Sequence, residues 1–163
     1  MRFSHTILLG LGMLTPALCH AQAQCPWLNE ATAHGILGGD VTLSVKLNKQ
    51  GAGVCKFTRH HGAANRELRI SVTLLTDIPR QFPAYLTQCP PKSTPLRATG
   101  NEAVTCSKDS KEDHYAEIVV GRVRNQAFAV VVNSTVQDDP SMTQEMRRDR
   151  AKLAAEMVAG ILF

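Results

Sequence analysis

Two runs in the last third of the chain, "YAEIVVGRVR" (115–124) and "AFAVVVNST" (127–135), are apolar on both faces. Successive side chains of a strand point to opposite sides. Val119 and Val123 therefore stand opposite Ile118 and Val120, and Phe128, Val130 and Val132 opposite Ala129 and Val131. A strand with two apolar faces sits centrally in a sheet and needs cover above and below. The interval around Asn125-Gln126 is short enough to join the two runs as a hairpin. The rest of the chain must then supply outer strands and covering helices.

The outer strands are legible upstream. "VTLSVKL" alternates strictly, with Val41, Leu43, Val45 and Leu47 on one side. "VCKFTRH" and "ELRISVTLL" follow after the turns "NKQGAG" and "HGAAN". The last of these directs Leu68, Ile70, Val72 and Leu74 inward. Three strands on short turns imply an antiparallel meander. "EAVTCSK" adds another strand, for six in all.

Three segments read as helical. Asn29 is a suitable N-cap for a short helix ended by Gly38-Gly39, with Trp27 packing back onto it. "DIPRQFPAYLTQ" holds a short helix interrupted by Pro79 and Pro83. The last helix begins with Asp139 as cap and Pro140 in the first position, and runs to about Ile161. Its large apolar residues Met142, Met146, Leu153, Met157 and Ile161 form the expected buried stripe, with Ala154, Val158 and Leu162 beside it. The expected fold class is α+β: an antiparallel sheet of about six strands in a sandwich, with a short N-terminal and a long C-terminal helix.

Residues 1–23 have the form of a secretory signal. Arg2 gives a positive start, "ILLGLGML" an apolar core, and Ala21-Gln22-Ala23 a small-residue cleavage site. The apolar run is shorter than the ~20 residues that span a bilayer. Leu18 is a poor residue before a lipid-bearing Cys19, so cleavage after Ala23 is expected. The product, residues 24–163, is one domain, periplasmic or secreted and soluble. It has no later membrane-length segment.

Four cysteines remain: Cys25, Cys55, Cys89 and Cys106. An even number in an exported chain reads as two disulfides, with three connectivities open. Cys25–Cys55 would pin the N-terminal segment to a strand. Cys89–Cys106 would close the loop "PPKSTPLRATGNEAVT"; both are favoured on that placement. No CxxC spacing points to a metal or redox site.

Of the 18 basic residues only Arg2 leaves with the signal, so 17 basic face 14 acidic side chains. That mild charge, with few aromatics, argues against a nucleic-acid partner. No GxSxG, HExxH, P-loop or GxGxxG occurs, so no cofactor and no catalytic residue is expected. The candidate ligand-binding residues are Arg122 and Arg124, two guanidiniums near a hairpin tip, with Asn101 and Glu102 of "TGNEAVTC". His60 and His61 are the alternative, as a metal pair, although neighbours on a strand diverge. His34 reads as a packing residue and His114 as a solvated one.

The order of these features resembles that of small exported domains of unknown function in bacterial envelope proteins, including many actinobacterial lipoproteins. The likeness rests on "CPWLNEATAHGILG" at the first helix, "CKF" in an early strand, the Gly-Asn-Glu-Ala turn, the apolar hairpin and the C-terminal helix. It implies a PsbP-like α/β sandwich and pairing of Cys25 with Cys55. It supplies no chemistry, and Cys89 and Cys106 are additions to its pattern. The expected function is a non-catalytic domain binding an envelope partner or small ligand. The alternatives are an envelope hydrolase with a loop-built site, using His60 or His114, and a metal carrier using His60 and His61.

Overall fold

A computed structural model describes residues 24–90, 93–110 and 114–163. The expected signal, residues 1–23, lies outside them. Every strand pairing is antiparallel, in one open sheet of seven strands. β1 (Thr42–Leu47), β2 (Gly53–His61) and β3 (Ala64–Leu74) form the expected meander. β4 (Thr94–Leu96), β5 (Glu102–Ser110), β6 (His114–Val123) and β7 (Gln126–Ser134) form a second one. β3 pairs with β7, giving the order β1-β2-β3-β7-β6-β5-β4. The hairpin runs apolar on both faces, β6 and β7, are thus interior strands. The expected count of six is corrected by β4, three residues including Pro95, which pair only along β5.

Cover on one face comes from α1 (Glu30–Leu37) and α3 (Gln144–Leu162). Beneath them lie Cys55, Phe57, Leu68, Ile70, Val72, Val119, Phe128, Val130 and Val132. On the other face, α2 (Ile78–Leu86) and the Cys89 segment cover Ile118, Val120, Ala127, Ala129 and Val131. The disulfides are Cys25–Cys55 and Cys89–Cys106, with Cα atoms 5.8 and 5.7 Å apart. The first anchors the segment before α1 to β2, and the second anchors the end of α2 to β5.

The C-terminal helix departs from its expected start and its expected face. Thr143, not Asp139, is the N-cap, its Oγ1 accepting from the Met146 amide. Asp139 is drawn away because its carboxylate is buried against Arg66. The buried face of α3 is Arg147, Ala151, Ala154, Ala155, Val158, Ala159 and Leu162. Leu153, Met157 and Ile161 are 46%, 38% and 58% exposed. Small residues let the helix backbone lie close on β6 and β7, where larger side chains would hold it off. Leu47 and Leu74, at strand ends, are also exposed rather than inward.

The C-terminus of α1 is held by three arginines. Arg59 and Arg66 donate to the Leu37 carbonyl at 2.8 and 3.4 Å, and Arg150 to that of Ile36 at 2.7 Å. Guanidiniums there satisfy orphan carbonyls and meet the negative end of the helix. Gly38 supplies the left-handed cap, with φ 79°. A Cβ on it would lie 2.9 Å from Arg59 Nη1, so the glycine also admits the arginine.

Candidate functional site

Two polar clusters occupy opposite ends of the β5–β6 ladder. The first gathers all four expected ligand-binding residues. Arg122 Nε donates to Glu102 Oε1 at 3.2 Å, and Arg122 Nη1 to the Arg124 carbonyl at 2.7 Å. Asn101 Oδ1 accepts from the Arg124 amide at 2.6 Å. The Arg122 guanidinium also lies 5.7 Å from the centre of the Phe82 ring. Val123 pairs with Gln126, so the loop is Arg124-Asn125, one residue earlier than expected. Arg124 carries a left-handed φ of 51°. Bonds to its amide and its carbonyl hold that conformation in place. Gly100, at φ 76°, brings its own backbone against the Arg122 carbonyl, which a Cβ would meet at 2.5 Å. Asn101 and Glu102 of the "TGNEA" turn are therefore engaged in fastening the β6–β7 tip.

The histidines whose side chains are described do not assemble. His60 Nδ1 lies 2.6 Å from Asn65 Oδ1, and His61 Nδ1 3.3 Å from Arg59 Nη2. Both are exposed. His34, expected to pack, is exposed instead and sits 3.3 Å from Asp40. The His114 side chain lies outside the described residues. Among the described residues no group of three or more His, Cys, Asp or Glu could hold a metal.

The second cluster lines a cleft of about 550 Å³ where α3 begins. Its inner wall is Ser107 and Glu117, directly paired across β5 and β6. Glu117 is 1% exposed and faces α3, on the same side of β6 as Val119. Its Oε1 accepts from Ser107 Oγ at 2.6 Å and Gln144 Nε2 at 2.9 Å, and its Oε2 from Arg148 Nε at 3.3 Å. A buried carboxylate needs such partners. The side wall contains Asp139, 3% exposed and bound in a fork by Arg66. Arg66 Nε reaches Oδ2 at 2.7 Å and Nη2 reaches Oδ1 at 2.6 Å. Ser134 Oγ and the Ser141 amide complete its shell at 3.2 and 3.0 Å. Burial alone would raise the Asp139 pKa. The Arg66 hydrogen bonds and charge, with the Ser141 and Ser134 donors, outweigh it and hold the carboxyl below its ordinary value.

Arg147 enters this wall from α3 and is 3% exposed. Its Nη1 donates to the Met142 carbonyl at 2.6 Å. Its Nε, by contrast, is buried without a hydrogen-bond partner among the described residues. Burial pulls its pKa below the ordinary arginine value, against the opposing charges of Glu117, Asp139 and Asp138. An unsatisfied donor on a buried charged group costs about 1–3 kcal/mol or more, so its retention calls for a reason. Asp109 and Tyr115, paired across the strands, and Asp138 on the loop before α3 form the mouth.

Of these residues the sequence marks only Asp139, and as a helix cap rather than as part of a site. The available signal was Glu117, one carboxylate inside an otherwise apolar strand. No family model, no curated protein and no solved structure matches the chain.

Proposed function

We propose that this chain is an exported, non-catalytic domain that holds a small polar ligand in the cleft at the head of α3. The observation that carries the reading is Arg147, a buried guanidinium with an unpartnered Nε, on a residue that lines a cleft large enough for a small molecule. Glu117 suits binding better than proton transfer. Both of its oxygens are engaged by fixed donors, one of them the Arg148 guanidinium.

The likeness to PsbP-like envelope domains belongs to the same proposal. It is supported by the first disulfide joining the segment before α1 to β2, and by the sheet between helices. Two disulfides accord with export, and no helix among the described residues is long and apolar enough to cross a membrane. Intact mass of the exported protein tests the compartment: a chain starting at Gln24 is expected, and a diacylglycerol adduct on Cys19 would refute soluble release.

The site itself is tested by amide chemical-shift mapping of the oxidised protein against a library of polar fragments. Hits should shift Ser107, Glu117, Gln144 and Arg147 together. Hits confined to Arg122, Arg124, Asn101 and Glu102 would move the site to the other end of the ladder.

A further inference from the structure

The cleft carries both signs of charge in a spatial order, and the inference drawn from that order rests on the ligand-binding reading above. Ser107 pairs with Glu117 and Asp109 with Tyr115, so the second pair lies two residues along the strands from the first. That is a step of about 7 Å towards the mouth. At the inner level stands Arg147, buried and without an ion pair among the described residues. The first turn of α3, Thr143 and Gln144, lines the same wall and presents the positive end of a 19-residue helix. At the outer level stand Asp109 and Asp138, which make no ion pair among the described residues, the partly exposed ring of Tyr115, and Lys108, whose charge is engaged in a contact of its own. The two remaining carboxylates are already matched, Glu117 by Arg148 and Asp139 by Arg66.

We propose that the cleft takes a short zwitterionic peptide, of dipeptide size. Its carboxylate meets Arg147 and the head of α3, its ammonium lies between Asp109 and Asp138, and its body rests on Tyr115. A simple anion would gain Arg147 but meet two unmatched carboxylates. A simple cation would gain those carboxylates but leave the Arg147 charge without an ion pair. A ligand with opposite charges several ångströms apart satisfies both ends, and the volume of about 550 Å³ accommodates it.

The test titrates the oxidised protein, by amide shifts and calorimetry, with Ala-Ala, Ala-Phe, Ala-Lys and Ala-Glu. The controls are their N-acetyl and C-terminal amide forms, and cellobiose as a neutral polar ligand. At least one free dipeptide should bind with shifts at Asp109, Gln144 and Arg147. Blocking either terminus should weaken it about tenfold or more, the loss of one charge-assisted contact. Asp138→Asn, at an exposed position, should weaken the free dipeptide by a similar factor and leave its N-acetyl form unchanged. Equal binding of blocked and free forms, or tighter binding of cellobiose in the cleft, overturns the peptide assignment and keeps the cleft. No dipeptide binding, with library fragments still shifting the cleft, also overturns it alone. Fragments that shift only other surfaces overturn both readings.

Discussion

The two ends of the β5–β6 ladder are built from the same kinds of residue and treat them differently. At the Arg122 end, guanidinium, carboxylate and amide groups are spent on one another and on the backbone of the β6–β7 loop. At the Glu117 end a comparable set surrounds a cleft and leaves one buried nitrogen unanswered. The bonds of Arg122, Glu102 and Asn101 fix a loop conformation, and in the proposed reading the partner missing at Arg147 is the ligand. A cluster of polar residues is therefore informative about binding through what it leaves unsatisfied.

The largest effect should come from cutting the wall of the open end. Asp139→Ala strands the Arg66 charge at 1% exposure and should cost about 3–5 kcal/mol in denaturant unfolding. The same pair sets an acid dependence. Because the folded pKa of Asp139 is lowered, its contribution is present above the unfolded carboxyl value, about 3.9, and is lost as pH falls through the folded value. Asp139→Asn should flatten that part of the stability curve below about pH 4. An unchanged acid limb would place the acid sensitivity elsewhere.

The next effect tests the closed end. Gly100→Ala forces a side chain into a left-handed conformation and against the Arg122 carbonyl, costing about 1–3 kcal/mol. Ligand binding in the cleft should survive in the fraction that folds. Loss of binding without loss of stability would show that the turn, and not the cleft, is the site.

How much of this was readable follows from what each residue must do locally. β6 and β7 were legible because apolarity on two faces admits few placements. The disulfides were legible from placement: Cys25–Cys55 pins the N-terminal segment to a strand, and Cys89–Cys106 closes a polar, proline-rich loop. β4 was missed because three residues containing a proline carry no period, and only β5 makes them a strand. The Arg66–Asp139 pair joins positions 73 apart, a distance over which sequence pattern is silent. Asn101, Glu102, Arg122 and Arg124 meet in one turn-and-loop contact that sequence does not place, because the backbone carbonyl that engages the Arg122 guanidinium and the amide that engages Asn101 come from a loop whose position only the fold sets.

A smaller effect distinguishes the ends by stability alone. Arg147→Met keeps length and apolar volume and removes a buried donor that lacks a partner. It also removes the bond to the Met142 carbonyl, so the two changes offset. Unfolding free energy should stay within about 1 kcal/mol of the parent protein, while cleft binding is abolished. A loss of 3 kcal/mol or so would identify Arg147 as structural and make the open end resemble the closed one.

The smallest effect concerns the face that α3 turns away from both clusters. The expected stripe is Met142, Met146, Leu153, Met157 and Ile161, of which Met142 is buried, and on that basis Leu153→Ala would cost about 2–5 kcal/mol. In the structure Leu153 lies two residues beyond Ala151, about 160° round the helix axis. It is 46% exposed, whereas Ala151, Ala154 and Ala155 are fully buried. The alanines repeat at helical spacing as regularly as the large residues do, and only contact with the sheet decides between the two faces. Leu153→Ala should therefore shift the denaturation midpoint by no more than about 0.5 kcal/mol equivalent. Ala155→Leu, which adds volume where α3 rests on β6 and β7, should cost about 1–3 kcal/mol. If the two results were exchanged, α3 would sit rotated on the sheet. Arg147 would then leave the cleft wall, and with it would go the one unsatisfied group that distinguishes the open end from the closed one.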